Sequence, residues 1–495
     1  MCGFGKRHRR NGGYITVFTV LFLSVFIVFV FFMLELICWR LSNMKAGEAV
    51  GQNVKSLFGD FDAQIYEDYH LFMIDASYGT DSEAYLEERL SEQLNYNLAG
   101  GSNLFRLELK NLQVSDESGF MQENYAALKK QIHDYCGYAM VESVLDMLKR
   151  RNETGKGDAG QGDVSDVERK DNTEVQEDIV LPNENSMQDP RDYISGFTGE
   201  TLLRFVCPKD KLPSAQVIDL SDMPSLSQGV EEEKEILPDN FLGNGQMNKL
   251  LEGELFDFEG ISCPVEHLEL VFYISSVFHS FLEENEIRTF QGEQEYILYG
   301  RDSDQKNLLC TVEGMISLRM PFNYLYLQSS ISKQTAIRSA AAVLSVLSQT
   351  TPGFMNKVLT GIVCFGESVL DVRALLRGEA VALKKTDATW KMSIADLFLN
   401  KLKGNGKSES VKGLYYEDYL MLLMLKKVSI KNMYARLLDV ITLNIQKERP
   451  AFSMMHGITG ATVSYQLEGN SGFSPLPKSW NPNAYLFFFD RSLEY

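Results

Sequence analysis

Residues Ile15–Leu34 read ITVFTVLFLSVFIVFVFFML, twenty consecutive residues without a charge, a proline or a glycine. As an α-helix rising about 1.5 Å per residue, this segment is about 30 Å long, the thickness of the hydrocarbon core of a bilayer. Core helices of globular proteins rarely stay apolar on every face over that length. Tyr14 and Trp39 flank the segment, where amphipathic aromatic side chains favour the membrane interface. The sequence therefore predicts a transmembrane helix within residues 14–38.

The charges around this helix predict its direction. Residues 1–13 form a basic leader that contains Lys6, Arg7, Arg9 and Arg10 and no acidic residue. Cytoplasmic flanks of membrane helices carry an excess of Lys and Arg, so the N-terminus is expected in the cytoplasm. The prediction is a cell-membrane protein with a single span and an extracellular C-terminal domain.

Two processed forms are alternatives to a permanent anchor. A cleaved signal peptide usually has an apolar region of about 7–15 residues followed by a small-x-small site, and neither feature is present. A lipidated Cys38 would need small residues before it, but Leu36 and Ile37 stand there. An uncleaved anchor fits the sequence better.

An apolar stripe continues beyond the predicted span. Apolar residues recur there at intervals of three and four, which is typical of one face of a helix. The stripe consists of Val50, Val54, Leu57, Phe61 and Ile65. A membrane helix that runs into an amphipathic helix resembles the architecture of pilins and pseudopilins, although a plain anchor with a stalk explains the spacing almost as well.

The remaining chain predicts a helix-rich α+β ectodomain. The expected segments are a stalk helix with a first α+β segment (39–151), an acidic disordered linker (152–190), a core domain (191–450) and a β-rich C-terminal segment (451–495). The linker is acidic and has no aromatic residue, so it buries too little apolar area to offset the entropy of ordering.

Periodicity predicts the individual elements. Predicted helices are Ser82–Leu98, Tyr125–Arg151, His267–Glu284, one beginning near Gln305, Lys333–Gln349, Gly353–Arg377, Tyr416–Lys426 and Ile430–Lys447. Predicted strands are Leu104–Val114, Glu293–Tyr299, Ala461–Leu467 and Ala484–Phe489, with mixed strand and loop at Asp192–Leu220.

The sequence contains no catalytic motif that we recognise. Phosphate-binding, zinc-protease and nucleophile-elbow patterns are absent, so no enzyme activity, catalytic residue, metal or cofactor is expected. The net charge of −19 argues against nucleic acid as a partner. The sequence motifs do not identify a small-molecule ligand. Seven scattered cysteines predict mostly buried, unpaired thiols.

Two short groups of residues can be interpreted either as a chemical site or as purely structural features. Asp302-Ser303-Asp304 has the carboxylates of a cation site, but its sixth position is Asn307 and not the glycine of an EF-hand loop. A turn in which Ser303 or Asp304 caps a helix is preferred. Cys136 and His133 share a helix face, which suggests a reactive thiol, yet a buried structural cysteine is preferred.

Several motifs together resemble a family of membrane proteins of Gram-positive, clostridial-type bacteria, related at the N-terminus to the TadE/TadG-like proteins of Flp (tight-adherence) pilus assembly. The motifs are Gly13-Tyr14-Ile15-Thr16-Val17-Phe18, Asp60-Phe61-Asp62, Ile65-Tyr66-Glu67-Asp68-Tyr69-His70-Leu71-Phe72, Glu295-Tyr296-Ile297-Leu298-Tyr299-Gly300, Glu367-Ser368-Val369-Leu370-Asp371-Val372-Arg373-Ala374-Leu375-Leu376 and Tyr416-Glu417-Asp418-Tyr419-Leu420. The resemblance implies a surface-facing component or accessory of a type IV-like pilus or secretion apparatus, with other pilus or secretion proteins as partners.

The N-terminus departs from true prepilins at one position. Gly12-Gly13 provides a glycine for leader cleavage between Gly13 and Tyr14, but the fifth residue after the cut is Phe18 and not the glutamate of prepilins. A membrane-anchored accessory is therefore favoured over a minor pilin. A surface adhesion or wall-binding module unrelated to pili, and an ectoenzyme built from dispersed carboxylates, are the competing interpretations.

Overall fold

A computed structural model describes residues 12–76, 82–99, 107–139, 199–230, 264–283, 288–392, 413–426, 429–470 and 484–495. The chain divides into two compact units. Unit 1 comprises Met1–Glu123 together with Ala451–Tyr495, and unit 2 comprises Asn124–Pro450. The predicted α+β class is confirmed. The basic leader residues Lys6–Arg10 and the predicted acidic linker lie outside the described residues.

Unit 1 packs helices against a small antiparallel sheet. Its helices are α1 (Gly12–Phe58), α2 (Ala63–Tyr69) and α3 (Ser82–Ala99), and its strands are β1 (Ile74–Asp75), β2 (Glu108–Ser118), β3 (Gly457–Ile458), β4 (Gly460–Asn470) and β5 (Ala484–Glu494). β1 pairs with β3, and β2, β4 and β5 form a sheet in that order. The strands predicted near residues 104–114, 461–467 and 484–489 are thereby confirmed.

Alternation along the central strand of this sheet builds the core of unit 1. Val463, Tyr465 and Leu467 are all buried on the same face of β4, as expected for residues two apart in a strand. Tyr465 lies opposite Leu112 of β2 and Phe489 of β5. The C-terminal segment and the segment near residue 110 therefore form one sheet, although more than 300 residues separate them in the chain.

α1 is one continuous helix from the apolar segment into the predicted amphipathic stripe. Val50, Val54 and Leu57 are buried against the sheet side of unit 1. The helix ends at Phe58, just before Gly59, and α2 begins after Asp62, whose carboxylate accepts from the backbone N–H of Ile65 at 3.1 Å. The stripe therefore divides between two helices, with Ile65 buried on α2 and Phe61 half-buried between them.

Unit 2 is helical in its described part, apart from an isolated β-bridge between Val381 and Leu414. Its helices are α4 (helical over the described residues 126–139), α5 (Gly199–Val206), α6 (Pro224–Ser227), α7 (Val265–Val277), α8 (Glu293–Tyr299), α9 (Asp304–Ser329), α10 (Ile331–Leu347), α11 (Pro352–Leu375), α12 (Tyr416–Leu425) and α13 (Ile430–Gln446). α9, α10 and α11 pack against one another, and the middle of α11 is buried on all faces from Leu359 to Val372.

Residues Glu293–Tyr299 were predicted as a strand, and that prediction is wrong. They form the seven-residue helix α8, which is buried over its whole length and ends at Gly300 in the left-handed conformation. A run of seven residues is too short for its periodicity to separate a buried strand from a buried helix. Only the surrounding packing decides between them.

The remaining differences concern boundaries. α5 lies within Asp192–Leu220, for which strand and loop were predicted. α7 ends at Val277, earlier than predicted, because Phe278 adopts an extended conformation. The helices predicted at Ser82–Leu98, Lys333–Gln349, Gly353–Arg377, Tyr416–Lys426 and Ile430–Lys447 are confirmed within a few residues.

Candidate functional site

The first half of α1 is an apolar helix that no other described residue covers. Its most apolar 18-residue window has a mean hydropathy of 3.0 and is not buried. Tyr14 is 82% exposed, Phe18 69% and Val28 68%. The segment is long and apolar enough to cross a membrane, and an N-terminal signal sequence can meet the same hydropathy criterion.

The candidate cleavage position lies at the start of this helix. Gly13 and Tyr14 are both helical and solvent-exposed, and Thr16 donates a hydrogen bond to the carbonyl of Gly13 at 2.9 Å. The orienting residues Lys6, Arg7, Arg9 and Arg10 lie outside the described residues.

The second half of α1 is fixed to the rest of unit 1 by a buried polar contact within an apolar interface. Asn53 is fully buried; its amide nitrogen donates to the carbonyl of Leu90 on α3 at 3.1 Å, and its amide oxygen accepts from the hydroxyl of Tyr465 on β4 at 2.8 Å. One side chain thus joins α1 to both α3 and the sheet. Because an unpaired buried amide is costly, these two bonds fix the position of the helix.

β5 lies alongside α1 where the apolar segment ends. The hydroxyl of Tyr485 donates to the carboxylate of Glu35, one residue beyond Leu34. Further along, a Cβ at Gly47 would lie 3.3 Å from the ring of Phe489, so the strand approaches the helix closely there too. Sequence reasoning assigned no role to Glu35, because its partner lies 450 residues away.

Unit 2 contains a buried cluster of charges between α9 and α11. We call it the α9–α11 ion cluster, and its charged members are Arg319, Glu367, Asp371 and Lys385. Arg319 donates to Asp371 at 2.9 Å, and Lys385 bridges Asp371 at 2.6 Å and Glu367. The cluster therefore holds two cations and two carboxylates and is electrically balanced.

Neutral groups complete the hydrogen bonding of this cluster. Arg319 also donates to the hydroxyl of Tyr419 at 3.1 Å, and Asn323 donates to the hydroxyl of Ser368 at 2.9 Å. The Glu367 carboxylate accepts from the backbone N–H of Met392 at 2.7 Å. Buried charges are tolerated when they are paired and fully hydrogen-bonded in this way.

The two carboxylates of the α9–α11 ion cluster are held in different environments. Burial raises the pKa of Glu367 above its ordinary value, even though Lys385 acts in the opposite direction. Burial also acts to raise the pKa of Asp371, but the positive charges of Lys385 and Arg319 outweigh this effect, so its pKa is lowered. Asp371 touches both cations, which accounts for the difference.

A second buried set of polar groups surrounds α8. We call it the α8 polar cluster, and its acidic members are Glu293, Glu295 and Asp439. Glu295 accepts from the hydroxyl of Tyr416 at 2.6 Å and from the backbone N–H of Phe281 at 3.0 Å. Asp439 accepts from the hydroxyl of Tyr296 at 2.8 Å. Burial raises the pKa of Glu295 to about 7.

The two clusters bring together residues from three motifs of the sequence. Glu295 and Tyr296 come from one motif, Glu367 and Asp371 from the second, and Tyr416 and Tyr419 from the third. Sequence reasoning missed their cationic partners Arg319 and Lys385. The available signal was a pair of carboxylates four residues apart, Glu367 and Asp371, in the stretch Leu359–Val372 of α11, which has no other charged residue.

The candidate thiol has the environment of a structural cysteine. Cys136 is buried, and burial raises the pKa of its thiol to about 11. The thiol donates to the backbone carbonyl of Glu269 at 3.3 Å, while His133 contacts the carboxylate of the same residue at 2.8 Å. The imidazole is therefore paired with a carboxylate and not with the sulfur, so this arrangement does not activate Cys136.

The candidate cation loop has the structure of a helix start. α9 begins at Asp304, and Ser303 occupies the N-cap position without a side-chain hydrogen bond. The Asp304 carboxylate accepts from the backbone N–H of Gln291 at 3.0 Å, and Asp302 pairs with Lys306 at 2.8 Å. The two carboxylates thus have different partners, and the described residues contain no group of three metal-ligating side chains.

Comparison with protein families matches residues 182–469 to a family of unknown function, DUF5702. The match covers more than half of the chain and includes the residues of both buried clusters. No curated protein and no solved structure matches the chain significantly. The protein therefore belongs to the DUF5702 family.

Proposed function

We propose that this protein is a non-enzymatic, membrane-anchored envelope protein that acts as an accessory or minor pilin-like component of a Tad/Flp-type pilus or secretion apparatus. One observation supports the proposal most strongly. The single helix α1 is exposed and apolar in its first half, and its second half packs against the antiparallel sheet and α3 through Val50, Asn53 and Val54. Pilin-like proteins share this arrangement of a protruding apolar helix and a head.

The two halves of α1 have separate tasks in this proposal. The first half inserts into the membrane or beside the helices of other pilin-like subunits, since its large apolar side chains have no cover within the described residues. The second half continues the same helix without a break up to Phe58, so the rest of unit 1 is held in a fixed position relative to the inserted half. Unit 2 provides a helical surface for protein contacts.

The buried charges of unit 2 are consistent with a structural role. Each charged member of the α9–α11 ion cluster contacts an opposite charge, and none exceeds 3% exposure. Catalytic acids and bases must reach a substrate, whereas these groups face one another. The proposal therefore assigns them to the stability of the domain.

The proposal is tested by exchanging the apolar half of α1. Residues 15–34 are replaced by an unrelated membrane helix of equal length, and the wild-type and exchanged chains are cross-linked and purified from native membranes. The wild type is expected to co-purify with pilus or secretion subunits, and the exchanged chain is expected to remain in the membrane without them. Purification of the native complex free of any pilus or secretion component would overturn the proposal.

A further inference from the structure

We infer that the end of β5 nearest α1's apolar segment forms a lipid-contacting edge, consisting of Tyr485, Leu486 and Phe488, that rests in the headgroup layer of the membrane into which α1 inserts. This inference rests on the proposed membrane anchor and adds a second contact with the same bilayer. Its ligand is a phospholipid surface.

The hydrogen bond from Tyr485 to Glu35 sets the level of this edge. Glu35 directly follows the charge-free run that ends at Leu34, so Tyr485 lies where the hydrocarbon core of the bilayer ends. Tyrosine favours this depth, because its ring is apolar and its hydroxyl is polar.

The direction of β5 follows from its second contact with α1. Between Glu35 and Gly47 the helix advances about 18 Å, while the strand advances about 13 Å from Tyr485 to Phe489. Since Tyr485 contacts Glu35 and Phe489 approaches Gly47, helix and strand run in the same direction. β5 therefore rises away from the membrane as its residue numbers increase.

The outer face of β5 changes from apolar to polar along that direction. Leu486 is 50% exposed and Phe488 is 68% exposed. The same face continues with Asp490, which accepts from the hydroxyl of Ser464 at 2.8 Å, and with Ser492. The change from apolar to polar occurs within one strand, as expected for a surface that leaves a lipid layer.

The dimensions of a bilayer agree with this position. Headgroups add about 5–7 Å to each side of the hydrocarbon core. Leu486 lies about 3 Å and Phe488 about 10 Å beyond Tyr485 along the strand, whereas Ser492 lies about 23 Å beyond it. A helix tilt of about 20° towards β5 lowers a group about 10 Å from the helix axis by about 3 Å, which brings Phe488 to the outer limit of the headgroups. Ser492 stays in water in either case.

Acidic side chains near this edge are partly balanced. Glu468 of β4 lies opposite Leu486 and pairs with Lys110 at 3.1 Å. Residues 471–483, which connect β4 to β5 in the chain, contain no Asp or Glu in a protein of net charge −19. On α1, the exposed Arg40 follows Glu35 by five residues and suits a phosphate layer.

The test measures the depth of single labelled positions in the full-length chain, reconstituted into nanodiscs of phosphatidylcholine and phosphatidylglycerol. Cys2, Cys38 and Cys263 are replaced by serine, and an environment-sensitive fluorophore is attached at Phe488→Cys or, as a second reporter, at Leu486→Cys. Ser492→Cys is the matched control, since it lies on the same face of the same strand. Val28→Cys reports on the anchor itself.

Lipids with a nitroxide near the headgroup should quench the labels at 486 and 488 several-fold more than the label at 492, at every protein-to-lipid ratio. If 488 and 492 are equally unquenched while 28 is quenched by lipids with a nitroxide deep in the acyl chain, the lipid-contacting edge is wrong and the anchor stands. An unquenched label at 28 would overturn the anchor as well. Emission at 488 that depends on protein density and not on the nitroxide would mean that a second copy covers the strand, which also overturns the inference.

Discussion

The hydroxyl of Tyr416 donates to the carboxylate of Glu295 at 2.6 Å, and both groups are completely buried. This contact joins α12 to α8 across 121 residues of sequence. It gives the DUF5702 domain a centre made of polar groups that only the folded chain brings together. Without Glu295 the buried Tyr416 hydroxyl would lose its acceptor, and the loss of a hydrogen-bond partner inside the protein is costly.

Arg319→Met should destabilise unit 2 strongly. The change leaves Asp371 and Glu367 with only Lys385, so one carboxylate loses its balancing charge inside the protein, and removal of one partner of a buried pair costs about 3–5 kcal/mol. Urea denaturation followed by circular dichroism measures the loss. Arg338→Met on the exposed face of α10 is the control, and it should change the free energy of unfolding by less than about 0.5 kcal/mol. Equal effects of the two substitutions would contradict the role of the α9–α11 ion cluster.

Stability should fall with rising pH because of Glu295. Burial raises its pKa from 4.5 in ordinary surroundings to about 7, so between these values the folded state binds the proton that the unfolded state has released. The stabilisation from Glu295 is therefore complete below about pH 4.5 and is lost as the pH rises towards about 7. Denaturation midpoints across this range measure the effect.

Glu295→Gln is the matched comparison for this pH dependence. Glutamine keeps an oxygen that accepts from Tyr416 and Phe281 but does not titrate. The variant should gain a few kcal/mol relative to the wild type between about pH 5 and pH 7, at about 1.4 kcal/mol per unit of pKa shift. A smaller slope should remain, because burial also raises the pKa of Asp304, to about 6. Identical slopes in both proteins would refute the prediction.

Asn53→Leu should loosen α1 from the rest of unit 1. The substitution leaves the buried hydroxyl of Tyr465 without its acceptor, at about 1–3 kcal/mol, and removes a second hydrogen bond from the helical carbonyl of Leu90. Faster hydrogen exchange in α3 and β4 is the expected observation. The double substitution Asn53→Leu with Tyr465→Phe should recover part of the loss, whereas the exposed Lys55→Ala should have no effect. If the effects of Asn53→Leu and Tyr465→Phe on hydrogen exchange simply add in the double variant, the contact between these two residues does not stabilise the protein.

Gly300→Ala should cost more than Gly378→Ala. Both glycines have left-handed backbones, with φ of 70° and 76°, so alanine meets the same conformational penalty of about 1 kcal/mol at either position. At Gly300 the added methyl also collides with the buried guanidinium of Arg436, whereas at Gly378 it enters open space. The difference between the two melting temperatures measures the collision alone. Similar melting temperatures would show that Arg436 moves aside freely.

The sequence by itself determined those elements whose pattern is local. The twenty residues Ile15–Leu34, which carry no charge, can satisfy their backbone groups only as a helix if they lie in lipid, and α1 is helical there. The helices at Tyr416 and Ile430 and the strands at Gly460 and Ala484 also follow from spacing alone, since period and turn residues are properties of neighbouring positions.

Only the tertiary structure decided what depends on distant partners. Glu293–Tyr299 is a helix because its three polar side chains bond the backbone of residues 278–281, and no pattern within seven residues encodes that. Glu35 and Tyr485 likewise meet because the sheet brings the end of the chain beside α1. Periodicity specifies which face of an element is buried, but the identity of the group that covers this face depends on how all the elements pack together.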